Sequence, residues 1–234
     1  MTGRPATIFA LSSGRPPAGI AVVRISGGKA GPTLSRIAGV MPKPRVARLG
    51  AVRDPDSGEL LDRALLLWMP GTGTATGEDV AELHLHGGRA VVNGVLSMLK
   101  AQPGLREAEA GEFTRRAFEN GRIDLNEAEG LADLLAAETA SQRRSALVAA
   151  DGVLSRRIGE WRSRLLAAAA GIEAAIDYSD EDDVGAGTIE EALGQAEALR
   201  AEMTELLDQP AAERMRDGIR VVVAGPPNSG KSAA

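Results

Sequence analysis

The sequence predicts an α+β domain over residues 1–119, an α-helical bundle domain over 120–216, and from 217 the first strand and phosphate loop of an α/β domain. Three observations carry this prediction. Short runs rich in Ile, Val and Leu, punctuated by Gly and Pro, alternate with helical patterns up to about residue 119. After Arg122 the apolar period becomes wholly helical and the chain turns alanine-rich. Finally a β-branched run, Ile219 to Ala224, leads directly into Gly225-Pro226-Pro227-Asn228-Ser229-Gly230-Lys231-Ser232.

In the first domain the best strands are Thr7–Leu11, Gly19–Ile25, Arg63–Met69 and Val80–His86, each bounded by turn residues. Lys29 to Ala38 reads as a short helix, which Met41-Pro42-Lys43-Pro44 stops. Gly87-Gly88 opens a second helix, Arg89 to Lys100, with Val91, Val95, Leu96 and Leu99 at helical spacing, and Gln102-Pro103-Gly104 closes it. Asp124 followed by Glu127 has the form of a capping box, so a helix is expected to start there. Leu154, Ile158, Trp161, Leu165, Ala168, Ile172 and Ile176 then form one stripe along a long helix. Ile189, Leu193, Ala196, Met203 and Leu207 form another after the loop Tyr178 to Gly187. Three helices with single stripes predict a bundle.

Composition narrows the function classes. Of 234 residues, 44% are hydrophobic and 25% charged, the balance of a folded soluble protein. The absence of cysteine excludes disulfides and thiolate metal sites, and two histidines leave little for structural zinc. The charge, 27 − 32 = −5, is not that of a chain that wraps nucleic acid, so any such contact must be local or shared with a partner. No apolar run approaches the roughly 20 residues that cross a bilayer, and Met1 to Ala10 lacks the form of a signal peptide. The expectation is a cytoplasmic protein without a membrane partner.

Gly225 to Ser232 fits G-x-x-x-x-G-K-[ST] after a strand, the context a phosphate-binding loop requires. Small residues let backbone N–H groups face phosphate oxygens; Lys231 meets the β/γ-phosphates and the Ser232 hydroxyl meets Mg²⁺. Glu82, His84 and His86 alternate along one strand and leave the same face. They could ligate a metal, make ordinary packing and hydrogen-bond contacts, or leave Glu82 to accept paired N–H donors from a pterin or purine edge. Arg24, before Ser26-Gly27-Gly28, could be a rim charge or meet a ligand carboxylate. Phe113 and Phe118 flank a basic pair, and a short helix that buries both is the simpler reading. The acidic run Asp180 to Asp183 lacks the spacing and glycine of a calcium loop and reads as a solvated bend.

Several blocks in this order resemble one family. They are Thr7-Ile8-Phe9-Ala10-Leu11, Gly19 to Gly27, Thr76-Gly77-Glu78-Asp79, His86-Gly87-Gly88, Gly111-Glu112-Phe113-Thr114, Ala117 to Leu125 and the phosphate loop. Together they resemble the tRNA-modification GTPase family known as MnmE or TrmE, over the entire chain. The resemblance implies an N-terminal domain that binds formyl-tetrahydrofolate and forms a homodimer, a central helical domain, and a P-loop GTPase domain inserted into the helical one. It further implies work on the wobble uridine of tRNA, adding an aminomethyl or carboxymethylaminomethyl group at C5 with an FAD-dependent partner enzyme of the MnmG (GidA) kind.

Family folate contacts map onto Arg24, Glu82 and Arg122; Arg122 keeps a cation where many relatives carry lysine. The GTP-binding stretch maps onto Asn228, Ser229, Gly230, Lys231, Ser232 and Ala233, with Asn228 the K⁺ ligand and Ser232 the Mg²⁺ ligand. Ala233 and Ala234 stand where the family usually has a hydroxyl and a leucine. The given sequence stops before any switch region, so negligible GTP hydrolysis is expected of this polypeptide by itself. The alternative is a non-catalytic folate-binding dimerisation module.

Overall fold

The computed structural model describes residues 6–177, 186–208, 222, 224 and 225. The chain divides into two compact units, Met1–Ala128 and Glu129–Ala234. The acidic bend at Asp180 to Asp183 and the loop residues Asn228 to Ala233 lie outside the described residues. So does most of the strand expected over Ile219 to Ala224. Its described positions, Val222 and Ala224, belong to no strand, and Val222 is 86% exposed. No neighbouring strand among the described residues pairs with them.

The first unit is built on one six-stranded sheet. Its strands are β1 (Thr7–Leu11), β2 (Ala18–Ser26), β3 (Arg48–Arg53), β4 (Leu60–Met69), β5 (Val80–Gly87) and β6 (Leu105–Glu107), in the order β3-β4-β5-β2-β1-β6. Neighbours are antiparallel except the β1–β6 pair. Four strands stand within a few residues of their expected bounds. β3 and β6 escape sequence reading: β3 (RLGAVR) has a single β-branched residue, and β6 is three residues long.

Strand alternation sorts the side chains onto two faces. Val23, Ile25, Leu83, Leu85, Leu66 and Phe9 point to the face covered by helices α1 (Ala30–Ala38) and α2 (Arg89–Ala101). Those helices contribute Leu34 and Ile37, and Val92, Val95 and Leu99, to a fully buried core. At Gly31 an added Cβ would stand 2.7 Å from the Trp68 ring, so the glycine lets α1 lie close to β4. The opposite face carries Val22, Arg24 and Ser26 of β2 beside His84, Glu82 and Val80 of β5. It stays largely open at the β3 side, where Leu49 is 69% exposed.

Helix α3 (Glu112–Glu119) inverts the expectation for its aromatics. Phe118 is 48% exposed and Phe113 only half-buried, while Glu112, Arg116 and Ala117 are buried. The charged residues go inside because each finds opposite charges there.

Helix α4 (Leu125–Ala136) opens on the expected capping box: the Glu127 amide donates to Asp124 Oδ1 at 2.9 Å and the Asp124 amide to Glu127 Oε2 at 2.7 Å. In the second unit follow α5 (Ala140–Ala150), α6 (Val153–Asp177) and α7 (Ala186–Leu207). Thr139 and Gln142 form a second capping box at the start of α5. A Cβ at Gly130 would meet the Ala149–Ala150 backbone, so α4 and α5 touch through bare backbone. Gly130→Ala is expected to lower the unfolding free energy by about 1–3 kcal/mol through this overpacking, read by helix CD during urea unfolding.

Helices α6 and α7 pack together along a narrower seam than the stripes implied. Trp161, Ala168 and Ala175 are buried at seven-residue intervals, as are Ala192 and Leu199. Leu154, Ile158, Leu165 and Ile176 stay exposed, and so do Ile189, Leu193 and Leu207. The alanines at 168, 175 and 192 allow close approach, and that geometry fixes which edge of each stripe is covered. Glu202 ties the pair, accepting from Trp161 Nε1 at 2.9 Å and Arg164 at 2.8 Å. No described helix is long and apolar enough to cross a membrane.

Candidate functional site

The site lies on the open face of the first unit's sheet. Strand register places Leu67, Glu82, Arg24 and Ala10 directly opposite one another across β4, β5, β2 and β1. Arg24 and Glu82 are therefore neighbours by pairing, and they bond: Arg24 Nε and Nη2 reach Glu82 Oε1 at 2.9 and 2.8 Å. His84, two residues along β5, places Nε2 3.1 Å from Glu82 Oε2. Above Arg24 sits the Phe113 ring, its centroid 5.8 Å from the guanidinium carbon.

Burial pushes the Glu82 carboxyl upward most strongly. The hydrogen bonds from His84 and Arg24 and the charge on Arg24 together outweigh it, and the carboxyl titrates below its ordinary value. Glu82 is thus a buried, ionised acceptor, only 9% exposed, on the open face of the sheet. A carboxylate has about four lone-pair positions; Arg24 occupies two and His84 one. A ligand that presents two N–H donors side by side can pair fully with Glu82 only if His84 or Arg24 gives way.

Arg122 stands apart from that pair. Its Nε donates to the Thr74 carbonyl at 3.1 Å, which anchors it on the loop between β4 and β5. Three carbonyls of this loop are gripped from outside: Gly73 by Arg45, Thr74 by Arg122 and Thr76 by Asn120. Gly77, at φ 75°, has Asn120 and Arg122 so close that a Cβ would lie 2.7 Å from Asn120 Cβ. No bond joins Arg122 to Arg24 or Glu82. The histidines also separate: His84 turns to Glu82, while exposed His86 pairs with Asp62 at 2.8 Å. The three side chains of the Glu82-His84-His86 trio do not converge, and no cluster among the described residues has the ligands to hold a metal ion.

Sequence reading missed a chain of polar residues beside the site. Ser26, two positions beyond Arg24 on the same face, meets Thr76 Oγ1 and donates to Glu78 Oε2, both at 2.7 Å. Arg116 Nη1 spans both Glu78 oxygens at 3.2 and 3.0 Å, and its Nη2 reaches the Ala6 carbonyl at 2.8 Å and Glu112 Oε1 at 3.0 Å. Arg106 makes a two-pronged pair with Glu112 at 2.7 and 2.5 Å. Arg106, the Glu109 amide and Arg116 hold the Glu112 carboxyl down at about 2, against the upward push of burial. Every buried side-chain polar atom among the described residues has a partner. The signal was present in the blocks Thr76 to Asp79 and Gly111 to Thr114, which supply Thr76, Glu78 and Glu112 to this network.

Two family models match successive parts of the chain. Residues 7–122 match the family described as GTP-binding protein TrmE N-terminus, and residues 125–229 match the MnmE helical domain. The chain is 59% identical over 234 residues to the tRNA modification GTPase MnmE of Novosphingobium aromaticivorans, an alignment covering 97% of this chain and 54% of that protein. It is 61% identical over 228 residues to the protein of the same name from Rhizorhabdus wittichii, covering 97% and 52%. With that from Bradyrhizobium sp. (strain BTAi1) it shares 56% over 227 residues, covering 97% and 51%. The chain spans about half the length of these relatives. Two family matches in sequence order, together with identities of this size across nearly every residue, place the chain in the MnmE (TrmE) family of tRNA modification GTPases.

Proposed function

We propose that this chain forms the folate-binding and helical parts of a GTPase that modifies the wobble uridine of tRNA at C5. In this reading the first unit binds formyl-tetrahydrofolate on its open sheet face. Glu82 accepts the paired N–H donors of the pterin edge, Arg24 holds Glu82 ionised and adds a cation, and Arg122, which follows α3 and is anchored on the β4–β5 loop, supplies a further cation. The observation that carries the proposal is Glu82 itself: a buried carboxylate kept charged on an open face by Arg24 and His84 is an acceptor for which a ligand's paired N–H donors can compete.

The remaining roles follow from the family and the sequence pattern. Asn228 through Ala233 bind GTP, with K⁺ on Asn228 and Mg²⁺ on Ser232. The open face, whose apolar rim includes Leu49, Leu65 and Ile20, also serves homodimerisation. A flavin-dependent partner and tRNA complete the reaction in the cytoplasm.

Calorimetric titration with 5-formyltetrahydrofolate tests the reading. The chain is expected to bind, and Glu82→Ala to weaken binding roughly five- to hundredfold, the effect of leaving buried donors unpaired. Equal affinity in the two proteins would place the folate elsewhere.

A further inference from the structure

We propose that Phe113 is a positioning residue for Arg24, and that the Glu78–Arg116 pair exists on this face to deliver Phe113 to that place. The proposal rests on the folate reading of the same site and adds to it a residue given no ligand contact there.

Two rungs join strand β2 to helix α3. On β2, Arg24 and Ser26 alternate onto one face. On α3, Phe113 and Arg116 are three residues apart and so share a side of the helix. The first rung is Arg24 against the Phe113 ring at 5.8 Å. The second runs from Ser26 to Glu78 at 2.7 Å and from Glu78 to Arg116 at 3.0 Å.

The second rung is rigid. Arg116 keeps only 6% of its side chain exposed and satisfies two carboxylates and a carbonyl at once. The first rung is softer, because the Arg24 side chain remains 30% exposed. Left to itself, an arginine with that much water contact exchanges among rotamers and shares its guanidinium with solvent. The ring above it closes one side of the planar cation, so that the edge carrying Nε and Nη2 stays turned toward Glu82 Oε1. Phe113 thereby keeps Glu82 ionised and fixed without bonding to it. This also accounts for the half-burial of Phe113 on a helix whose buried positions are otherwise polar or small.

The test compares Phe113→Leu, which keeps apolar bulk but removes the aromatic face, with Phe113→Tyr, which keeps the face. Two readouts are taken on the whole chain: the Arg24 Nε–Hε NMR resonance, assigned by its loss in Arg24→Lys, and affinity for 5-formyltetrahydrofolate. Phe113→Leu is expected to shift the Arg24 resonance and speed its exchange with water, and to weaken folate binding about fivefold. Phe113→Tyr is expected to retain both properties. An Arg24 resonance unmoved in Phe113→Leu overturns the proposal, as does equal loss in the leucine and tyrosine variants, which would indicate packing alone. If the unaltered chain binds no folate, the proposed function fails, and the resonance arm still decides the role of Phe113.

Discussion

Arg116→Met is expected to lower the stability of the first unit by roughly 3–5 kcal/mol, the cost of breaking a buried ion pair by removing one member. Methionine retains most of the aliphatic volume, so the loss isolates the guanidinium. That group bonds Glu78, Glu112 and the Ala6 carbonyl, and its removal leaves Glu78 with only the Ser26 hydroxyl among these partners. The chain has two tryptophans, so a Trp161→Phe background leaves Trp68, packed on Gly31, as a reporter for this unit alone. Urea unfolding followed by its fluorescence gives the change directly. A loss under about 1 kcal/mol, the range of a solvent-exposed pair, would mean that the network is a surface feature.

That network also marks where sequence reading stops. β1, the capping box at Asp124 and Glu127, and the helix before Gln102 were legible because each depends on residues close together in the chain. Arg116 was not, because two of the three groups that satisfy it, Glu78 and the Ala6 carbonyl, lie 38 and 110 positions earlier. Hydrophobicity alone sends Phe118 inward and Arg116 outward; the tertiary partner reverses both. The helical stripes failed differently. Their period was right, but the phase of the buried seam follows from Ala168, Ala175 and Ala192, small residues whose value lies in close approach rather than in transfer from water.

At the site, alternation on β5 placed Glu82 and His84 on one face. The pairing of Arg24 with Glu82 needed the β2–β5 register, which places residues 58 positions apart directly opposite each other. The family resemblance named Arg24, Glu82 and Arg122 together. The structure links the first two and holds the third on a separate loop, so a common ligand, rather than direct contact, would have to unite them.

Acid is expected to weaken the first unit in a particular window, through Glu112. Its carboxyl titrates at about 2 when folded, against an ordinary value of 4.5. A group whose pKa is depressed by folding contributes stability above its unfolded pKa and loses it as pH falls through the folded one. The Glu112 contribution is therefore complete above about pH 4.5, declines below that, and is gone near pH 2; its size is about 3 kcal/mol. Glu82 is shifted in the same direction and adds to the decline. Comparison with Glu112→Gln separates the two. Glutamine cannot charge, so the gap in unfolding free energy between the natural chain and the variant should be widest at neutral pH and shrink steadily between pH 4.5 and 2. Trp68 fluorescence in the Trp161→Phe background measures the gap at each pH. A gap that stays constant through this window would show that Arg106 and Arg116 hold Glu112 by geometry alone, with no dependence on its charge.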